Sequence, residues 1–226
     1  MVHRFSAHDG MGYENIYEMA EAAIKDGFPE LENIHTFGLG SFGCIWSFRS
    51  VLKLIRDSHH ISMLFIDDFY IRQPISDFNH LLSFLPSDDF KMLQVRYWHS
   101  DEVLYSDTVE VYEKCPELYK GLRGAGDNVT ILSPMGASYL LSWMDKYPDL
   151  YLETIIHMLA HQDPQETGCY SVVDIPKWYG YDDEIPDHID RPLEEQDRKL
   201  ADRKGIIHSK MGEDTILASG GGVFVP

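Results

Sequence analysis

Apolar and polar positions alternate in two periods along the chain, and the switches between them divide it into elements. Residues 2–7 form a short segment that reads as a strand and run into His8-Asp9-Gly10, a turn signal. From 14 to 26 the apolar positions Tyr17, Ala20, Ala23 and Ile24 recur at helical spacing, with Gly27 where a left-handed glycine would end the helix. The glycine-rich lead Gly38-Leu39-Gly40-Ser41-Phe42-Gly43 opens a second helix running to about Asp57. Ile45, Phe48, Leu52 and Ile55 form its apolar stripe, and His59-His60 closes it.

Residues 61–66 are a compact apolar run ending in Asp67-Asp68, the pattern of a strand buried on both faces. A helix over 75–85 is stopped by Pro86, and a strand follows at 92–95. The stretch from Trp98 to Asp127 has weak periodicity and ends among Gly121, Gly124 and Gly126, which predicts mostly loop. Residues 129–132 read as a strand. Ser133-Pro134 starts a helix through Ala137, Leu140, Leu141 and Met144, because serine caps and proline suits the first helical position. A further helix is expected over 150–161 and a short strand over 170–173. The charged, proline-punctuated stretch 182–204 and the Gly220-Gly221-Gly222 run predict a partly flexible end. Helices alternating with apolar strands make this an α/β fold with a mixed central sheet, 1–180 forming the domain and 181–226 a charged C-terminal segment.

Composition narrows the function. The 226 residues carry 19 Lys plus Arg against 37 Asp plus Glu, a formal charge of −18. Such a field repels phosphate backbones and anionic lipid, so neither nucleic acid nor a membrane surface is an expected partner. No apolar run reaches the roughly 18 residues of a membrane span, and no stretch has the order of a signal peptide. Cys44, Cys115 and Cys169 are odd in number and widely spaced, as in a reduced, cytoplasmic protein.

The sharpest chemical feature is Asp67-Asp68. Two adjacent carboxylates after a buried strand repel each other unless a cation sits beside them, and hard divalent ions prefer such oxygen ligands. The competing reading is a solvated turn or helix cap. His157 and His161 share a helix face, but Met158 stands where a zincin has Glu, which favours ordinary histidines over a zinc site. Trp98, Tyr97 and Tyr105 are candidates to stack on a sugar ring or to anchor a loop.

Four blocks, in order, resemble glycosyltransferase family 25. Arg4-Phe5-Ser6-Ala7-His8-Asp9-Gly10 resembles its F-x-A-x-D-G segment, and Gly40-Ser41-Phe42-Gly43-Cys44-Ile45-Trp46-Ser47-Phe48 its G-E-x-G-C-x-x-S-H. Met63-Leu64-Phe65-Ile66-Asp67-Asp68 resembles L-I-L-E-D-D, and Ser133-Pro134-Met135-Gly136-Ala137-Ser138-Tyr139-Leu140-Leu141 resembles S-x-x-G-A-x-x-L-L. The resemblance spans about the first two-thirds of the chain. It implies a GT-A-like, Rossmann-type domain that takes a nucleotide sugar, UDP-linked, with a divalent metal, manganese being the expected ion. A hexose would pass to a hydroxyl of a glycan or protein acceptor.

By that resemblance Asp68 is the metal ligand and Asp67 faces the sugar or ribose. Gly43 and Ser47 belong to the helix supporting the donor site. Asp149 and Glu153 lie where the family carries acids in its acceptor half, and either would serve as general base; charge at a helix terminus is their ordinary alternative. The chain departs from the pattern at Ile66 and Ser41, each in place of Glu, and at Phe48, in place of His. The family's opening nucleotide-binding strand also has no counterpart before Val2. These departures motivate the alternative of a non-catalytic carbohydrate- or protein-binding relative with a degenerate donor site.

Overall fold

A computed structural model describes residues 2–66, 69–71, 73–98, 110–162, 166–174, 178–181 and 221–224. The strands are β1 (Val2–Arg4), β2 (Ser62–Ile66), β3 (Phe69–Ile71), β4 (Met92–Trp98), β5 (Leu118–Lys120), β6 (Ala125–Leu132), β7 (Cys169–Val172), β8 (Tyr179–Tyr181) and β9 (Gly221–Phe224). The helices are α1 (Ile16–Lys25), α2 (Leu39–Ser58), α3 (Ile75–Ser83), α4 (Pro134–Lys146) and α5 (Leu152–Gln162). The fold is α/β, and its main sheet is mixed, in the order β1-β9-β2-β6-β4-β7-β5. Pairing among these strands is antiparallel except between β4 and β7, which run parallel. β3 and β8 form a separate antiparallel ribbon.

The central strands are apolar on both sides because both faces are covered. Leu64, Met92, Leu132 and Cys169 point into one core with α1, α2, α4 and α5. Their neighbours Met63, Leu93, Ile131 and Tyr170 point into a second core with Phe78 and Leu81 of α3 and with Trp178. The period of two along each strand thus divides the residues between two hydrophobic layers.

Local signals account for most element ends. Gly27, at φ +80°, follows α1 as its left-handed stop. His59 takes the same region at φ +59° and turns α2 into β2. Ser133 Oγ accepts the amide proton of Gly136 at 3.0 Å, and Pro134 occupies the first turn of α4. Arg49 of α2, itself buried, pairs with Asp145 of α4 and lies over the Phe28 ring, tying the two helices together.

Several expectations are corrected. α1 buries Met19 and Ala23, while Tyr17 and Ile24 stay exposed; the small Ala23 lets the helix approach α2 along a different row. The region expected as loop before Asp127 contains β5 and the start of β6, whose pairing is with strands distant in sequence. β3 and β8 carried no signal of their own. Gly221–Phe224, taken for a free end, is a strand between β1 and β2, where its backbone rather than its side chains makes the ladder.

Candidate functional site

β2 is antiparallel to β6, β6 is antiparallel to β4, and β4 is parallel to β7. β2, β4 and β7 therefore run in one direction, and their carboxyl ends, Ile66, Trp98 and Val172, face the same end of the sheet. Ligands of open α/β sheets sit outside such ends. Asp67 and Asp68 follow Ile66 directly in sequence and lie outside the described residues, as does Tyr105.

The helices converge on the same end. α2 finishes where β2 begins, so its glycine-rich first turn points back toward the carboxyl end of β2. Gly10 packs against Leu39 there. α4 leaves the opposite end after β6, and α5 leads down to the start of β7, so the α4–α5 connection also lies toward this end. It carries Asp149, whose Oδ2 accepts from Asn33 Nδ2 at 3.3 Å, and Glu153, exposed in the first turn of α5.

Gly43 and Ser47 grip the segment that precedes the first helical turn. A side chain at Gly43 would overlap the His8 carbonyl oxygen. Ser47 Oγ accepts from His8 N at 2.8 Å and donates to Gly43 O at 2.6 Å. The His8 ring stacks on Trp46, with centroids 3.6 Å apart and planes 6° from parallel, and its Nε2 lies 3.1 Å from Ser50 Oγ. Two of the four sequence blocks, separated by some thirty residues, thus meet as one unit. The helix motif supports the segment through backbone groups and a buried serine.

A polar cluster that sequence reading passed over lies on the helix-facing side of β4 and β7. Gln94 is opposite both Thr130 and Ser171 in register, and all three are buried. Gln94 Nε2 donates to Gly124 O at 2.9 Å, while Arg123 N donates toward Gln94 Oε1 at 3.2 Å and Ser171 Oγ at 3.1 Å. Ser171 Oγ lies 2.8 Å from Gly121 O and 2.9 Å from Gln94 Oε1, so its proton has two acceptors. These bonds pin residues 121–124 across the sheet face and deliver Ala125, the first residue of β6, opposite Trp98. Gly121 adopts φ +120°, which only glycine takes without strain. The signal available beforehand was the pair of polar positions, Gln94 and Arg96, inside an apolar strand.

Arg123 brings positive charge to this region. Its guanidinium lies 4.7 Å from the Tyr119 ring centroid and beside the phenol of Tyr97, the penultimate residue of β4. Tyr97 donates to Val172 O at 2.8 Å, and burial is the main cause of its raised pKa; the neighbouring Tyr119 adds to the rise and Arg123 opposes it. Tyr97 is therefore a buried wall and a proton donor, not a base and not a stacking surface.

Among the described residues, no group of three or more His, Cys, Asp or Glu side chains is placed to hold a metal. The His157 and His161 rings stand 4.5 Å apart on α5. Among the described residues no helix is long and apolar enough to cross a membrane. Comparison with known proteins finds no matching family model, no matching curated protein and no matching solved structure.

Proposed function

We propose that the protein is a metal-assisted glycosyltransferase of the family 25 type, moving a hexose from a UDP-linked donor to an acceptor hydroxyl. The observation that carries this reading is the shared direction of β2, β4 and β7. The strand that runs into Asp67-Asp68 ends on the side toward which the α2 motif and the α4–α5 connection also face. A divalent ion, manganese by expectation, would be held by Asp68 and would neutralise the charge developing on a leaving diphosphate. Asp67 would face the sugar or ribose.

The chain's own groups have definable roles in this scheme. The Gly43–Ser47 grip on His8 holds the wall beside the α2 first turn. The pinned 121–124 segment carries Arg123, a cation in a strongly anionic chain, toward the ends of β4 and β7. Asp149, oriented by Asn33, and the exposed Glu153 are the acids from which an inverting base would be drawn.

Thermal denaturation with manganese and UDP together tests the proposal. At ligand about a hundredfold above Kd, binding adds about 2.7 kcal/mol. For a domain of this size that raises Tm by about 5–10 °C. Asp68→Ala is expected to remove the shift, and hydrolysis of UDP-hexose should show the same dependence. An unmoved Tm in the intact protein would favour the non-catalytic relative, for which Ile66 in place of Glu is the specific motivation.

A further inference from the structure

We propose that His8 is an acid-labile latch that fastens the amino-terminal strand, and through it the β1–β9–β2 side of the sheet, to α2. The latch has four contacts on successive turns of one helix. The His8 carbonyl packs on Gly43, its amide donates to Ser47 Oγ, its ring stacks on Trp46, and Nε2 meets Ser50 Oγ. The Phe5 ring also meets the imidazole edge to face, with centroids 5.9 Å apart.

What this anchor holds is specific. β1 ends at Arg4, four residues before His8. Val2, His3 and Arg4 pair with Phe224, Val223 and Gly222 of β9. β9 in turn pairs with Met63, Leu64, Phe65 and Ile66 of β2, the strand leading into the acidic pair. β1 and β9 are short, so a hold on the helical layer is what keeps that side of the sheet in register.

The ring is a titratable group in a partly buried stack. Burial lowers its pKa below the ordinary imidazole value, against the attraction of the Asp26 carboxylate at the end of α1. Asp26 is already engaged: Trp46 Nε1 donates to its Oδ2 at 3.0 Å, and Lys53 Nζ donates to its backbone oxygen at 2.8 Å. With a lowered folded-state pKa, the latch is complete while the imidazole is neutral. Its contribution is lost as pH falls from the unfolded value, about 6.5, through the folded one.

Hydrogen exchange and imidazole NMR on the full chain test this. From about pH 7.5 to about pH 5, amides of residues 2–4 and 221–224 should lose protection about tenfold relative to those of β4 and β6, once intrinsic exchange is corrected. His8→Phe keeps a flat ring on Trp46 without a titrating group, and its protection should not change with pH. The proposal is overturned if His8→Phe loses protection in acid as the native chain does. It is equally overturned if the native His8 ring titrates at or above the ordinary value, as an imidazolium retained on the indole face would. The NMR titration needs no variant and stands even if His8→Phe does not fold.

Discussion

The carbonyl oxygen of His8 occupies the space that any side chain on Gly43 would need. A methyl there must displace backbone, not a flexible side-chain tip. Gly43→Ala is therefore expected to cost about 1–3 kcal/mol. Urea unfolding should show a lowered midpoint with an unchanged slope. Ser47→Ala leaves the His8 amide without its 2.8 Å acceptor in a partly buried setting and should cost about 1 kcal/mol.

The fourth sequence block is a second close approach. A side chain at Gly136 would collide with the Lys91 backbone oxygen, and Ser133 Oγ donates to Phe90 O at 2.5 Å while capping α4. Gly136→Ala should be the more damaging change, because backbone from two elements must separate. Ser133→Ala should cost about 1–2 kcal/mol as a lost cap. Reversal of that order in denaturant titrations would contradict the packing described.

Gln94→Leu preserves volume but removes the donor to Gly124 O and one of the two acceptors of Arg123 N, which keeps Ser171 Oγ. The expected loss is about 1–3 kcal/mol, because the Gly124 carbonyl loses its buried side-chain donor. Amide exchange should accelerate first over residues 121–124. If the proposed donor site is correct, manganese-dependent UDP affinity should fall along with it.

Alkaline stability follows from the buried phenols. Burial pushes Tyr170 up to about 12, with Tyr112 and Asp89 adding to the rise, and raises Tyr97 and Tyr139 as well. A raised folded-state pKa stabilises the native chain below the unfolded value of about 10. That stabilisation is lost as pH climbs from there through the folded value. Unfolding free energy should thus drop between about pH 10 and about pH 12, and Tyr170→Phe should flatten the fall. Phenolate absorbance against pH checks the titration directly.

Under the proposed transfer reaction, kinetics separate Asp149 from Glu153 as the base. Whichever supplies the base should lose about 100- to 10,000-fold in kcat as the amide variant. The other substitution should leave turnover near the native rate. Asn33→Ala should mimic part of the Asp149→Asn loss only if Asp149 is the base, since Asn33 orients it at 3.3 Å. Equal, small effects from both would place the base elsewhere.

Much of the fold was legible before any coordinates. Gly27, Ser133-Pro134 and the apolar run ending at Ile66 each carry a local cause: a left-handed stop, a cap with a pre-set φ, and a strand buried on both sides. Less of the candidate site was legible. Asp149 and Glu153 entered only through the family resemblance, and Gln94, Ser171 and Arg123 did not enter at all, because their significance lies in a backbone crossing contributed by a distant segment.

By itself, the order of residues determined most of the helices, the doubly buried apolar run of β2 and the strongly negative net charge. Those depend on neighbours within a few positions. Only the tertiary structure decided that Gly221–Phe224 is a strand, that α1 buries Met19 instead of Tyr17, and that His8 is seated on Gly43, Trp46, Ser47 and Ser50. Each of these rests on backbone hydrogen bonds or close packing between segments far apart in the chain, and such contacts leave no periodic trace in either partner's sequence.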